Sequence, residues 1–183
     1  RETGEHLWNT QLVSHQNLYE NIDAETGAIT MNESLIPDEV GDISLVCPGV
    51  RGGKLFQTRS YDPNSSTFFS PVSNECTVYE VIPVEQDAAG VQYNEIRHME
   101  GANEKVGRLA AIDAATGDIK WIYDQRAALG SVLATGGNLV FAADLYRYFM
   151  ALDSDTGEVL WEIPLSAPIA SYPISYAADG KQY

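Results

Sequence analysis

The chain is short of positive charge. Its 183 residues carry 11 Lys and Arg against 26 Asp and Glu, a net charge of -15, and the isoelectric point falls near 4.3. A surface of that sign repels phosphate backbones, which excludes nucleic acid or an anionic membrane face as the main partner and permits steering of a basic protein partner. Plain solubility, or adaptation to a salty medium, accounts for the charge equally well. No apolar run is long enough to span a membrane, and Arg1-Glu2-Thr3-Gly4 carries no apolar signal segment. Cysteine is scarce: Cys47 and Cys76 are compatible with a disulfide of an exported protein, two unrelated buried thiols, or half of a metal site. No second Cys pair accompanies them. The three histidines, His6, His15 and His98, share no ligand spacing, which favours structural or solvent-facing roles over zinc. No Gly-x-Ser-x-Gly elbow and no Ser/His/Asp constellation is present, so hydrolase chemistry has no support.

What the chain does have is a phrase written three times, and it takes up every tryptophan. It runs Glu2-Thr3-Gly4-Glu5-His6-Leu7-Trp8, Asp113-Ala114-Ala115-Thr116-Gly117-Asp118-Ile119-Lys120-Trp121, and Asp153-Ser154-Asp155-Thr156-Gly157-Glu158-Val159-Leu160-Trp161. Apolar runs such as Leu109 to Ile112 and Phe149 to Leu152 read as strands, Asp-x-x-Thr-Gly supplies a turn, and the Trp segment reads as the returning strand. Glycine takes positive φ there without strain, and the indole buries a large flat surface. Ile22-Asp23-Ala24-Glu25-Thr26-Gly27 repeats the turn in a degenerate fourth copy, with Met31 where Trp would stand. The last two Trp recur 40 residues apart, a period used by propeller blades. The expectation is an all-β chain of repeated antiparallel blades, about three of them, forming part of a larger ring.

Between the repeats the character changes. Asn32 to Gly41 reads as a surface loop. Cys47-Pro48-Gly49-Val50-Arg51-Gly52-Gly53-Lys54 is not a phosphate loop, because Leu55 follows Lys54 where Ser or Thr is required; it reads as a Gly-rich loop leading to a strand, a Tyr61-Asp62-Pro63 turn and a second strand, bracketed by the cysteines. Val78 to Pro83 reads as a strand, but residues 77–107 as a whole, with polar stretches around Gln86-Asp87 and Glu95 to Gly101, read as an inserted loop region on a blade. Residues 107–163 alternate strands and tight turns without a helical period. Asp153-Ser154-Asp155 is not a calcium loop, since Glu158 and Pro164 occupy positions that need Gly and Glu. The whole of 1–183 is expected to be part of one propeller domain.

The Asp-x-x-Thr-Gly-x-x-x-Trp phrase resembles the tryptophan-docking motif of the pyrroloquinoline quinone (PQQ) dependent alcohol and methanol dehydrogenases, eight-bladed propellers of the bacterial periplasm. The resemblance extends through Leu12 to Pro37, the Cys47-Pro48-Gly49...Tyr61-Asp62-Pro63...Cys76 unit, Leu133 to Phe141, and Ala151 to Trp161. It implies the C-terminal part of such a propeller, with Trp8, Trp121 and Trp161 as structural docking residues. It also implies oxidation of a small primary alcohol, PQQ held beside a calcium or lanthanide ion, and electrons passed to a cytochrome c. The family's metal ligands and catalytic aspartate lie upstream of these residues, so no catalytic or metal-binding residue is assigned here. Two family positions that touch PQQ do fall within the chain, and both depart from the usual residues: Leu55-Phe56 stands in place of Asn-Trp, and Leu129 in place of Trp. Those departures support the alternative of a propeller that has lost the cofactor and serves as a binding or assembly subunit. The resemblance also favours a Cys47–Cys76 disulfide, worth on the order of 3 kcal/mol by loop-closure entropy.

Overall fold

The computed structural model describes residues 3–84, 88–169 and 171–183. Glu2, at the head of the first phrase, and Gln86 and Asp87 of the polar stretch lie outside the described residues. No α-helix occurs among the described residues, and strands make up 47% of the chain, as the alternating pattern requires. The strands in order are β1 (Tyr19–Ile22), β2 (Ile29–Met31), β3 (Ile43–Val46), β4 (Ser60–Asp62), β5 (Thr67–Ser73), β6 (Glu75–Val84), β7 (Ala88–His98), β8 (Gly107–Asp113), β9 (Ile119–Gln125), β10 (Leu129–Thr135), β11 (Leu139–Asp144), β12 (Tyr148–Asp153), β13 (Val159–Pro164), β14 (Ala177–Ala178) and β15 (Lys181–Gln182). The chain separates into two compact units, Arg1–Gly53 with Ser73–Val106, and Lys54–Val72 with Gly107–Tyr183.

The second unit holds two four-stranded antiparallel sheets, in the orders β4-β5-β8-β9 and β10-β11-β12-β13, plus the short β14-β15 pair. One face of each large sheet supplies a shared core of Phe69, Leu109, Ala111, Leu129, Val132, Val140, Ala142, Met150 and Leu152, all at 5% exposure or less. Large and small side chains are mixed in that list, which lets the two sheets approach closely and interdigitate. Polar bonds pin the sheets where their edges meet: Thr58 N–H donates to Ser131 Oγ at 3.0 Å and Ala134 N–H to Ser60 Oγ at 2.8 Å. These four-stranded sheets are blades, and the chain is a partial propeller.

The first unit pairs β1 with β2 and builds a sheet in the order β3-β6-β7. Here the expectation of an inserted loop over 77–107 is corrected at the level of secondary structure. β6 and β7 form a long antiparallel ribbon, in register from Glu75 opposite His98 to Val84 opposite Ala88, with a bulge between Val78 and Tyr79. Its polar residues mislead because β7 is the outer strand of this sheet, exposed at Val91, Gln92 and Glu95–His98, and an edge strand facing solvent needs little apolar alternation to keep its backbone ladder. The spacing between the first and second Trp phrases now has an explanation. After β5 the chain leaves its blade, builds this ribbon, and returns as β8 beside β5.

Candidate functional site

The recurring turn is the best-defined chemical unit of the molecule, and its geometry follows from its residues. In each copy the Asp carboxylate caps the turn. Asp23 Oδ1 accepts from the N–H groups of Glu25 (3.0 Å) and Thr26 (2.7 Å) and from the Thr26 hydroxyl (2.7 Å). Asp153 Oδ1 accepts from Asp155 N–H (3.0 Å), Thr156 N–H (2.9 Å) and the Thr156 hydroxyl (3.0 Å). Asp113 Oδ1 accepts from the N–H groups of Ala115 (2.9 Å) and Thr116 (3.2 Å), while the Thr116 hydroxyl turns to Asp118. The glycine N–H then closes back on the Asp carbonyl at 2.9 Å in all three. Donors aimed at an ionised carboxylate favour the charged form. The Thr26 hydroxyl chiefly holds Asp23 below the usual carboxylate range, the Ala115 N–H does so for Asp113, and the Thr156 hydroxyl for Asp153.

A further copy escaped the sequence reading. Asp62-Pro63-Asn64-Ser65-Ser66 uses Ser65 in the threonine role, with its hydroxyl 2.6 Å from Asp62 Oδ2, and Ser66 takes the glycine position at φ 51. Asp62 is again depressed, first by the Ser65 hydroxyl. The discoverable signal was the Asp-x-x-Ser spacing. The absent glycine hid it.

The Asp23–Gly27 and Asp153–Gly157 turns each present a socket: a glycine with no side chain and the carbonyl of the residue after Asp. Trp121 on β9 fills the socket of Asp153–Gly157. Its Nε1–H donates to Ser154 O at 2.9 Å, and a Cβ built on Gly157 would sit 2.6 Å from Trp121 Cε3. Trp161 on the edge strand β13 is 49% exposed and meets Phe149 edge-on with ring centroids 6.2 Å apart. Trp8 is half-buried and has partners of its own. The ring seated on the Asp23–Gly27 turn belongs to His6, two residues before Trp8.

The positions at which the family resemblance places a quinone behave differently from one another. Leu55 and Phe56 are exposed, at 50% and 57%, on a loop held in shape by Lys54, whose ammonium donates to the carbonyls of Leu55 and Gln57. Burial, and after it the neighbouring Arg59, lowers the Lys54 pKa. Leu129 is 4% exposed and belongs to the core between the two blades, so its side chain offers no open face to a planar ring. Leu and Phe donate no hydrogen bond to a quinone's polar edge, and no group of three His, Cys, Asp or Glu that could hold a metal occurs among the described residues. These residues do not by themselves fit PQQ and its ion.

Cys47 and Cys76 form a disulfide 29 residues apart in sequence, with both residues 2% exposed and packed with Met99, Ala102 and Val13. The Gly-rich loop beside it serves the scaffold. A Cβ on Gly49 would fall 2.1 Å from Thr77 Oγ1, so only glycine allows this approach to β6. No helix among the described residues is long and apolar enough to cross a membrane.

Residues 125–183 match the family model described as the PQQ "Glucose/ethanol/alcohol dehydrogenase, beta-propeller domain". Methanol dehydrogenase [cytochrome c] subunit 1 of Methylorubrum extorquens is 31% identical over 91% of the chain, and quinoprotein ethanol dehydrogenase of Pseudomonas putida is 33% identical over 89%. The chain spans 28% and 27% of the length of those two relatives. Among solved structures, a europium-containing methanol dehydrogenase superposes with a TM-score of 0.80 at 25% identity, covering 93% of this chain and 31% of that one. The chain carries PQQ-family propeller sequence and is a partial-length relative of the methanol and ethanol dehydrogenases.

Proposed function

We propose that the chain is the C-terminal part of the eight-bladed propeller of a periplasmic PQQ-dependent alcohol dehydrogenase, with residues 1–183 lying in one propeller domain. The protein oxidises a small primary alcohol to an aldehyde and passes the electrons to a cytochrome c. The observation that carries this reading is similarity to alcohol-oxidising quinoproteins along nine-tenths of the chain. The contribution of these residues is scaffold: blades, docking rings and a disulfide suited to an oxidising compartment. By the family resemblance the catalytic aspartate and the calcium or lanthanide ligands lie upstream of these residues, and Leu55, Phe56 and Leu129 carry no side-chain donor for the quinone.

A second reading is favoured by the apolar Leu55-Phe56 pair: a propeller of this family that has lost its cofactor and works as a binding or assembly subunit. One experiment separates the two. The full-length protein is purified, its quinone measured by absorbance and mass spectrometry, and ethanol oxidation followed with an artificial electron acceptor. Near-stoichiometric quinone with turnover is expected. A folded full-length protein with neither overturns the first reading in favour of the second.

A further inference from the structure

Asn74 stands at the junction of β5 and β6 and is fully buried, at 0% exposure. Its backbone N–H donates to Val106 O at 2.8 Å, where the chain returns, and its side-chain Oδ1 accepts from Ser14 N–H at 3.0 Å. That second bond fixes which way the amide points, because of its two ends only the oxygen can accept from an N–H. The nitrogen Nδ2 is thereby turned aside, and it has no hydrogen-bond partner among the described residues. Ser14 Oγ, on the very residue that Oδ1 holds, is buried and lacks a partner as well. Two residues in direct contact thus leave one amide donor and one hydroxyl unsatisfied in the same interior.

The surroundings are apolar. Ser14 lies between Val13, which packs on the Cys47–Cys76 disulfide with Met99 and Ala102, and His15, whose N–H donates to Met99 Sδ at 3.2 Å. A Cβ built on Gly101 would stand 3.7 Å from Ser14 Cβ. Thioether, disulfide and methyl groups offer a polar atom little, and an amide nitrogen taken out of bulk water into such a place requires a partner. The chemistry of the two groups selects it. Both are neutral: a cation is opposed by the N–H, and an anion gains no charge from either residue. Water accepts from an amide, exchanges a hydrogen bond with a hydroxyl, and is small enough for a packed interior.

We infer that Asn74 and Ser14 form a binding site for a single buried water molecule, which accepts from Asn74 Nδ2–H and is hydrogen-bonded to Ser14 Oγ. The direct bond between the two residues uses Ser14 N–H and Asn74 Oδ1; the water adds a second link, side chain to side chain. Residues 13–15 are thereby tied at two points to the place where the chain leaves one blade and comes back to it, with the Asn74–Val106 bond on the other side of the same residue.

A crystal structure of the full-length protein, at a resolution that shows ordered water, tests this directly: a solvent peak is expected within about 2.7–3.2 Å of both Asn74 Nδ2 and Ser14 Oγ. A double-mutant cycle followed by urea unfolding tests it in solution. Ser14→Ala removes the hydroxyl and keeps the backbone N–H. Asn74→Ala removes the amide, and its loss of the bond to Ser14 N–H is the same with or without the hydroxyl, so that part cancels. The folding equilibrium constant of the double variant is expected to fall about three- to tenfold less than the product of the two single effects. A structure with no such peak, with a peak on only one of the two atoms, or with Nδ2 bonded to a protein group overturns the inference, as do single effects that simply multiply. Should Asn74→Ala fail to fold, the wild-type structure decides the matter by itself.

Discussion

Trp121 and Ser154 are joined by a 2.9 Å hydrogen bond from indole to carbonyl, across 33 residues of sequence and from one blade to the next. The bond is possible because Gly157 leaves the turn open beneath the indole. Gly157→Ala forces a side chain into positive φ, costing about 1–2 kcal/mol, and also drives a methyl into the Trp121 ring. The denaturation midpoint of the full-length protein should drop accordingly. Gly136→Ala, with nothing within 4 Å of the new methyl, should stay within about 0.5 kcal/mol of wild type.

Separating the two parts of the Trp121 contact needs two substitutions. Trp121→Phe keeps a ring over Gly157 and deletes only the donor to Ser154 O, so a loss of about 0.5–1.5 kcal/mol is expected. Trp121→Ala also empties the space against Phe69, whose ring centroid lies 5.8 Å away, and the loss should grow toward about 3 kcal/mol. Urea titrations of both variants check the order.

The turn aspartates make an acid limb. Asp23, Asp62, Asp113 and Asp153 are all held below the ordinary carboxylate range by turn donors. A carboxylate depressed in the folded state contributes stability above its unfolded value, near 3.9, and that contribution is lost as pH falls through the folded value. Stability should therefore be level from about pH 6 to 5 with respect to these groups and decline below about pH 4. Urea midpoints across that range test it, and Asp153→Asn should shallow the decline.

Cys47–Cys76 closes a loop of 29 residues between two buried positions. Replacing both cysteines with serine should cost roughly 3–4 kcal/mol. Thermal unfolding with and without reductant should show the same deficit in the reduced wild type.

Leu55 is half exposed on a loop already shaped by Lys54, so Leu55→Asn should alter stability by less than about 0.5 kcal/mol. In the full-length protein it should increase the quinone retained through purification, measured by absorbance and mass spectrometry. Unchanged retention would separate Leu55 from the cofactor.

The Asp-x-x-Thr-Gly turns were legible because everything that makes them lies within five residues: a carboxylate, its donors and a glycine at positive φ. Four features were not legible in this way. Ser66 adopts the same backbone without glycine, so its turn lacked the expected letter. His6 reaches its socket because Ala24 O and Gly27 face it, which its neighbours in sequence do not announce. Leu129 read as a place for a cofactor ring, yet the packing of two blades closes over it. β7 read as loop although Val78 to Pro83 of β6 read as strand, because register across ten residues is a property of two segments together.

The departure of the chain between β5 and β8 begins and ends at one point: Asn74 N–H donates to Val106 O at 2.8 Å. A segment whose entrance and exit touch imposes no geometric demand on the sheet it leaves. The blade holds β5 and β8 side by side whatever is strung between them, as a garment holds a pocket at its seam. The ribbon beyond Cys76 can therefore vary in length and chemistry without altering the strand order of the blade. Among relatives of this chain, differences should gather there while the two strands at the seam stay fixed.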